Sequence, residues 1–457
     1  MKNYYFIGIK GAGVSALALL LHEKGYSVQG SDTNEYIFTQ EKLQQNNINI
    51  FNFGEIEKAI DSNTEIIVGN SFNPDNNIDY RIASRLGLKI IKYTDFLSNL
   101  SEEYLSIAIS GTHGKTSTTN ILSQLDWPAF TDISYIIGDG TGGNKRVGNL
   151  TEKPESLFLF EACEYKNNFL NYSPKITIIT NIDFDHPDVF RDIEDTKSVF
   201  RDFLKNTKEV AIINGDDENV LQCIEDLDIN LVKFGFSEDN DAVISNVCEN
   251  NTEMYTMFDL EYKKQRFNIY TPFFGKHNIM NVAAALVTNL YLNGVHKLPG
   301  SNVIDLKYLN GARRRFQETP CNKAIIIDDY GHHPTEIRVT LEACRKKYPQ
   351  KKIIAIFQPH TINRFETFLN DFKSELSKAD HHFITDIYIP ENRENKIDNT
   401  SVVNPTYSSM SIRNIEQYKD AVYLFLSACR RQVEFYTFCS FPFYTSAENM
   451  LFRFLIR

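Results

Sequence analysis

The sequence predicts an α/β fold class: three consecutive α/β domains in one chain. Three observations carry this. At 457 residues the chain exceeds what one ordinary hydrophobic core serves, and about 100–200 residues per domain gives roughly three. Short β-rich apolar runs alternate with helix-like stretches, which implies parallel sheets with helices on both faces. That alternation restarts twice, placing joints near residues 100 and 310.

In the first unit, residues 1–100, "NYYFIGI" passes through a glycine turn into "VSALALLLHEKG", and "YSVQGSD", "EIIVGN" and "LKIIKY" follow. The second, 101–310, opens with "LSIAIS" and continues through "SLFLFEA", "ITIITNI" and "EVAIING" to the amphipathic "HNIMNVAAALVTNLYLNG". The third, 311–457, begins at "NGARRRFQ" and adds "AIIIDDY", "KIIAIFQ" and "HHFITDI". Residues 391–415 are polar and weakly patterned, the composition of a surface loop.

Bulk properties exclude several classes. A composition of 42% hydrophobic and 23% charged residues is that of a soluble globular protein. The net charge of −11 argues against a nucleic-acid partner, since phosphate backbones require a basic surface. The apolar runs "SALALLLH" and "KIIAIFQ" are far short of the ~20 residues of a membrane helix. The N-terminus enters a strand without a signal-peptide layout, so the expectation is a cytoplasmic protein with no membrane partner. Seven cysteines without CxxC or Cys/His spacing suit reduced thiols.

Four constellations can carry chemistry. In "FIGIKGAGVSAL", Gly8, Gly11 and Gly13 lie between strand and helix, and Ser31 and Asp32 close the next strand. Such glycines let a pyrophosphate approach a helix N-terminus, although the spacing is Gly-x-x-Gly-x-Gly and not the dinucleotide order. In "AISGTHGKTSTTNIL", Gly111, Gly114, Lys115 and Thr116 follow a strand; Lys115 supplies charge to β- and γ-phosphates, and Thr116 or Ser117 a hydroxyl for Mg²⁺. The strict phosphate-loop pattern wants glycine where this chain has Ile109, so a plain glycine turn into a Thr-rich helix cap is the alternative.

The third constellation pairs Glu161 and Glu164, after one apolar strand, with Asn181, Asp185 and His186, after another. Strand C-terminal ends face the ligand crevice of open parallel sheets, and Mg²⁺ prefers oxygen, which favours Glu161 over His186 as ligand. The fourth lies in the last third: Arg314, Arg315 and Arg364 offer forked donors to anionic oxygen, and His332 and His333 precede a helix begun by Pro334. Solvated arginines and packed histidines are the structural alternatives. Two phosphate-type loops and a cation-rich third unit suggest joining chemistry, with hydrolase and kinase readings open at this point.

Taken together, "FIGIKGAG", "GTHGKTSTT", "FEACEY", "TNIDFDHPD", "GKHNIMN", "RRRFQ", "DDYGHHPTE" and "FQPH" resemble, in order and over nearly the whole chain, the Mur ligase family of peptidoglycan synthesis. The glycine loop and "DDYGHHP" are similar to its alanine-adding branch, and "FEACEY" to the form found in Gram-positive bacteria. The resemblance implies a Rossmann-like N-terminal domain, a P-loop central domain and a Rossmann-like C-terminal domain. It implies ATP-dependent joining of L-alanine to the lactyl carboxylate of UDP-N-acetylmuramate through an acyl phosphate, with ATP and Mg²⁺ as cofactors.

By the same resemblance, the loop of Gly8, Gly11, Ala12 and Gly13 holds the UDP diphosphate; Ser31 and Asp32 join it as substrate-binding residues, the acid able to accept a ribose hydroxyl. Gly111, Thr112, His113, Gly114, Lys115, Thr116 and Ser117 bind ATP phosphates, with Thr116 and Glu161 on one Mg²⁺ and His186 near a second. His277 and Asn278 match the adenine side and Arg315 reaches the nucleotide, while Tyr330, His332 and Arg364 line the meeting place of muramic acid and alanine. A helix start with an Asn cap is the plain alternative for His277 and Asn278. The expected assembly is a monomer or homodimer. A catalytically impaired nucleotide-binding homologue and a ligase recycling a preformed tripeptide are the alternatives.

Three stretches depart from the family pattern. Thr361 stands where many relatives have arginine. "LDWPAFTDIS", with the only Trp, reads as a local divergence. After "AVYLFLS", Ala428, Cys429 and Arg430 replace a Gly-Ala-Gly-Asp turn, and the aromatic-rich last ~30 residues follow neither a helical nor a strand period, as after a shifted reading frame.

Overall fold

A computed structural model describes residues 2–146, 156–294, 302–321, 323–385, 387 and 420–427. They form three sheets in chain order. In the first, five parallel strands run Asn49–Asn52, Ser27–Asp32, Asn3–Ile7, Thr64–Val68, Ile90–Lys92 across the sheet. The central strand is apolar over "YYFI" because both of its faces are covered.

Helix Ala12–Glu23 is buried without a break from Val14 to Leu21. An all-apolar helix needs cover on every side. Here the outer cover comes from the second sheet, whose edge hairpin, Asp132–Ile137 and Thr141–Arg146, lies on the helix. A Cβ built on Gly142 would sit 1.9 Å from the Ala16 carbonyl oxygen, so only glycine permits this backbone contact. Next to it the Asn144 N–H donates to Glu23 Oε2 at 2.6 Å.

The second sheet has eleven strands. Its parallel centre runs Ser156–Glu161, Leu105–Ser110, Ile176–Ile179, Val210–Asn214, Leu231–Gly235. Beyond it stands an antiparallel meander, Ala242–Asn250, Tyr255–Tyr262 and Gln265–Thr271, which the sequence reading did not include. Its last turn is made by Lys263 and Lys264 at φ 51° and 63°. Such hairpin turns are usually announced by Asn-Gly, and two lysines give no such signal.

Helix Lys276–Asn293 packs on this sheet in one core with Trp127 and Phe130. Trp127 is fully buried, and its indole N–H donates to the Leu122 carbonyl at 2.9 Å. Leu125, Trp127 and Phe130 of "LDWPAF" therefore belong to the central core, while Asp126 and Pro128 are exposed.

In the third sheet Gln317–Cys321 pairs antiparallel with Ala324–Asp329, and Ala421–Ser427, Lys352–Gln358 and His381–Ile384 continue in parallel. Ala421–Ser427 is the middle strand and is buried at every position. The expected surface loop at 391–415 and the atypical tail after Ser427 lie outside the described residues. Among the described residues no helix is long and apolar enough to cross a membrane, and Cys163, Cys223, Cys248, Cys321 and Cys344 are free thiols.

Candidate active site

The glycine-lysine turn joins strand Leu105–Ser110 to helix Lys115–Gln124, with Gly114 as N-cap at φ 86°. Its strand has Ser156–Glu161 on one side and Ile176–Ile179 on the other, so Glu161 and the Asn181–His186 segment flank the turn. The turn is wired to that second neighbour. Thr112 N–H donates to Asn181 O at 3.0 Å, and His113 N–H to Asn181 Oδ1 at 2.9 Å. The helix start beyond them presents the N–H groups that a helix cannot satisfy internally.

Lys115 Nζ donates to Glu164 Oε2 at 2.9 Å, to Thr112 O at 3.0 Å and to Gly111 O. Burial opposes its charge, but Glu164 and its neighbours carry the ammonium up to about 12, so it stays a cation. Beside it the Thr116 hydroxyl donates to Glu161 Oε2 at 3.0 Å, and the Gly138 N–H donates to Oε1. Burial pushes the Glu161 carboxyl up. A hydroxyl and a carboxylate paired next to a buried lysine form a hard-oxygen set that fits Mg²⁺.

His186 is placed differently from Glu161. At φ 55°, its ring packs on Tyr165 with centroids 4.7 Å apart, and its Nε2 lies 4.0 Å from Glu164. Burial pushes its imidazole down, so it is a neutral ring with lone-pair capacity. Arg364 corrects an expectation: it lines neither cavity described below. Its fork is closed on Asp185, Nε to Oδ1 at 2.8 Å and Nη2 to Oδ2 at 3.2 Å, and Nη2 is 3.2 Å from His186 Nδ1. Both partners are buried, so this arginine joins the third domain to the second.

The third domain meets the turn through Glu336. His333 caps helix Pro334–Lys347 in a reciprocal capping box with Glu336, Pro334 entering at the helix start. Glu336 also accepts from His332 N–H at 2.9 Å, and it lies 3.4 Å from His113 Nδ1 and 3.5 Å from Arg315 Nη1. Burial works against its charge, but the His113 imidazolium and the Arg315 guanidinium hold it well below the usual carboxylate range. His113 in turn faces Asp183 at 3.2 Å; burial opposes its protonation, yet the two carboxylates raise it to about 9.

Among the described residues, His113, Asp183 and His333 are the histidine and carboxylate set whose donor atoms converge within 4.8 Å. Burial and Arg364 together push His332 down to about 3, leaving a neutral ring whose Nδ1 contacts Tyr330 O at 3.0 Å. Arg314 holds Asp328 at 3.3 Å and donates to Ser427 O, within its own domain.

Two cavities share the turn. One of about 900 Å³ is lined by His113, Gly114, Ser117, His277, Asn278 and Arg315. The other, of about 540 Å³, is lined by Gly8, Gly11, Ala12, Gly13 and Asp32 from the first domain, with Thr112, Lys115, Thr116, Glu161, His186, Tyr330 and His332. Gly114, Arg313, Arg315 and Glu336 border both. Burial pushes His277 down to about 4, and Asn278 Nδ2 donates to Phe274 O at 2.9 Å.

Gly8 has φ +80°, and a Cβ there would meet Phe72 at 2.2 Å. Asp32 braces the loop, accepting Lys10 N–H at 2.7 Å and Thr33 N–H at 2.8 Å. Ser31 and Gly111 line neither cavity. Ser31 is fully buried and serves the loop through its carbonyl, which accepts from Gly8 N–H at 2.8 Å; Gly111 is packed against Thr180.

Sequence reasoning missed Glu336, Asp183, Lys10 and Arg313. Only Glu336 had a local signal, since it stands three residues after a capping position. Lys10 is buried and donates to the carbonyls of Thr33 and Glu35, both at 2.8 Å, a use invisible without the fold.

Comparison with known proteins finds three consecutive family matches. Residues 3–105 match the Mur ligase family catalytic domain, 109–289 the Mur ligase middle domain and 314–432 the Mur ligase glutamate ligase domain. The chain is 40% identical over 449 residues to the "UDP-N-acetylmuramate--L-alanine ligase" of Streptococcus pneumoniae (strain Hungary19A-6), covering 96% of this chain and 97% of that protein. Among solved structures, the UDP-N-acetylmuramate-alanine ligase of Thermotoga maritima aligns with TM-score 0.70 at 22% identity, over 94% of this chain and 96% of that one. A murein peptide ligase of Psychrobacter arcticus 273-4 aligns with TM-score 0.66 at 20% identity, over 94% and 96%. At these identities the two structures speak for the fold alone.

Proposed function

This chain belongs to the Mur ligase family, and on that footing we propose that it joins L-alanine to the lactyl carboxylate of UDP-N-acetylmuramate, converting ATP to ADP and phosphate. The single observation that carries the assignment of the site is the Lys115 turn, set between two cavities and facing Glu161 and Thr116. One cavity suits a nucleoside triphosphate and the other a sugar nucleotide.

In this proposal the larger cavity holds ATP, with His277 and Asn278 toward the base and Ser117, Gly114 and Arg315 toward the phosphates. Thr116 and Glu161 would hold one Mg²⁺, and His186, whose Nε2 lies 4.0 Å from the Glu164 carboxylate that Lys115 contacts, would stand near a second. The metal, when bound, neutralises charge on the transferring phosphoryl group. The helix start at Ala12 and Gly13 takes the diphosphate of the substrate, which brings its lactyl carboxylate toward Lys115.

Lys115 stabilises the charge that grows as the carboxylate takes the γ-phosphoryl group. The alanine amine then attacks the acyl phosphate, and phosphate leaves through a tetrahedral intermediate. Lys115 and Arg315 are cations held at the border of the two cavities, so the protein works by positioning and charge stabilisation. Tyr330 and His332 wall the side where the amine enters. We place the protein in the cytoplasm as a monomer or homodimer without membrane or nucleic-acid partners.

The test is ADP release with UDP-N-acetylmuramate and, in turn, alanine, serine, glycine or a tripeptide. Alanine-dependent release is expected. Release with the tripeptide alone would assign the recycling reaction instead, and no release with any amine would leave a nucleotide-binding protein without ligase activity.

A further inference from the structure

Arg313 touches all three domains, yet none of the roles above uses it. It sits at the entry to the third domain, ahead of strand Gln317–Cys321. Its backbone N–H donates to Asp139 Oδ2 of the second domain at 3.0 Å. Its guanidinium reaches Glu41 Oε2 of the first domain at 2.9 Å and lies over the Phe38 ring, 5.2 Å from the centroid. It also borders both cavities.

The contacted segment is a wall of the smaller cavity, through Glu35, Tyr36, Ile37 and Phe38. Glu41, in the first turn of helix Gln40–Gln45, accepts from the Tyr36 hydroxyl as well as from Arg313. On the other flank Lys42 donates to Thr141 Oγ1 of the edge hairpin, and Asp139 accepts the Thr141 N–H at 2.9 Å. The segment is thus held to the second domain by Lys42 and to the third by Arg313.

We propose that Arg313 is a positioning residue that couples seating of the third domain to affinity for the sugar nucleotide, by clamping the Tyr36–Glu41 segment over the smaller cavity. This rests on the proposed function, because it takes that cavity to hold UDP-N-acetylmuramate. Arg313 touches no reacting atom; its fork and planar stacking surface suit a carboxylate and a ring together. Coupling is reciprocal, so the bound sugar nucleotide also favours the seated third domain.

The test compares the full-length enzyme with Glu41→Gln, Arg313→Ala and the double variant. Glu41 borders neither cavity, so Glu41→Gln is the cleaner probe. The expected result is a rise of about three- to fivefold in KM for UDP-N-acetylmuramate in each single variant, on the scale of one coupled ion pair. The double variant should do no worse than Arg313→Ala, kcat should stay within about twofold, and Arg313→Lys should restore part of the loss.

An unchanged KM in Glu41→Gln, or independent effects that multiply in the double variant, would overturn the proposal. So would a fall in kcat at constant KM, which would put Arg313 at the chemistry. Equal rises in KM for ATP and sugar nucleotide together with a lower melting temperature would reduce it to a structural part. A wild-type enzyme inactive with this substrate pair would instead defeat the functional assignment itself.

Discussion

The two glycine turns follow the same plan of strand, turn and helix, and differ in what stands behind the proposed phosphate seat. At Gly8–Gly13 the loop amides are braced by Ser31 O and by the Asp32 carboxylate, and the buried Lys10 is turned away toward the Thr33 and Glu35 carbonyls. At Gly111–Lys115 the amides are braced by Asn181, and the lysine stays in the seat, held on Glu164 and two carbonyls. A turn that only binds needs backbone donors. A turn that stabilises a phosphoryl group through transfer also needs a preorganised cation, and Glu164 with the two carbonyls holds Lys115 in place.

Three experiments sharpen this contrast. The largest effect belongs to Lys115→Ala, which should lower ADP release at least about a hundredfold, the scale of losing one preorganised charge-stabilising group; far-UV circular dichroism should be unchanged. Near-normal turnover in that variant would make the two turns equivalent binders. Next comes Gly8→Ala, where the positive φ and the Phe72 contact force the loop to move at a cost of about 1–3 kcal/mol. Its expected signature, by calorimetry, is weaker binding of UDP-N-acetylmuramate with ATP binding intact; equal losses for both ligands would mean that the turns are not independent.

The smallest is a pH effect confined to the second turn. Burial disfavours the His113 cation, yet Asp183 and Glu336 raise it to about 9 in the folded protein, from an ordinary 6.5. Its stabilising share is therefore complete below about pH 6.5 and is lost as pH climbs through about 9. Melting temperature should fall across that window and should fall less steeply in His113→Asn. Parallel curves for the two proteins would remove His113 from the seam.

Much of this was legible in the sequence because both turns are local. Strand, glycines, lysine and hydroxyls stand within one short stretch, and the apolar runs mark the parallel strands. What escaped is non-local. Glu336 becomes central only when the third domain brings it to His113, and Arg364 reads as a substrate donor until Asp185 is seen to occupy both arms of its fork. The meander at Ala242–Thr271 was missed because its last turn is built from two lysines. Trp127 looked foreign because burial of one large ring against Phe130 has no periodic signature.

Because Gly142 rests on the Ala16 carbonyl, the tip of the edge hairpin, Gly138 and Asp139, reaches the smaller cavity from the same footing that carries helix Ala12–Glu23. Any side chain at position 142 would therefore lever the hairpin off the helix and shift a wall of the smaller cavity without touching it.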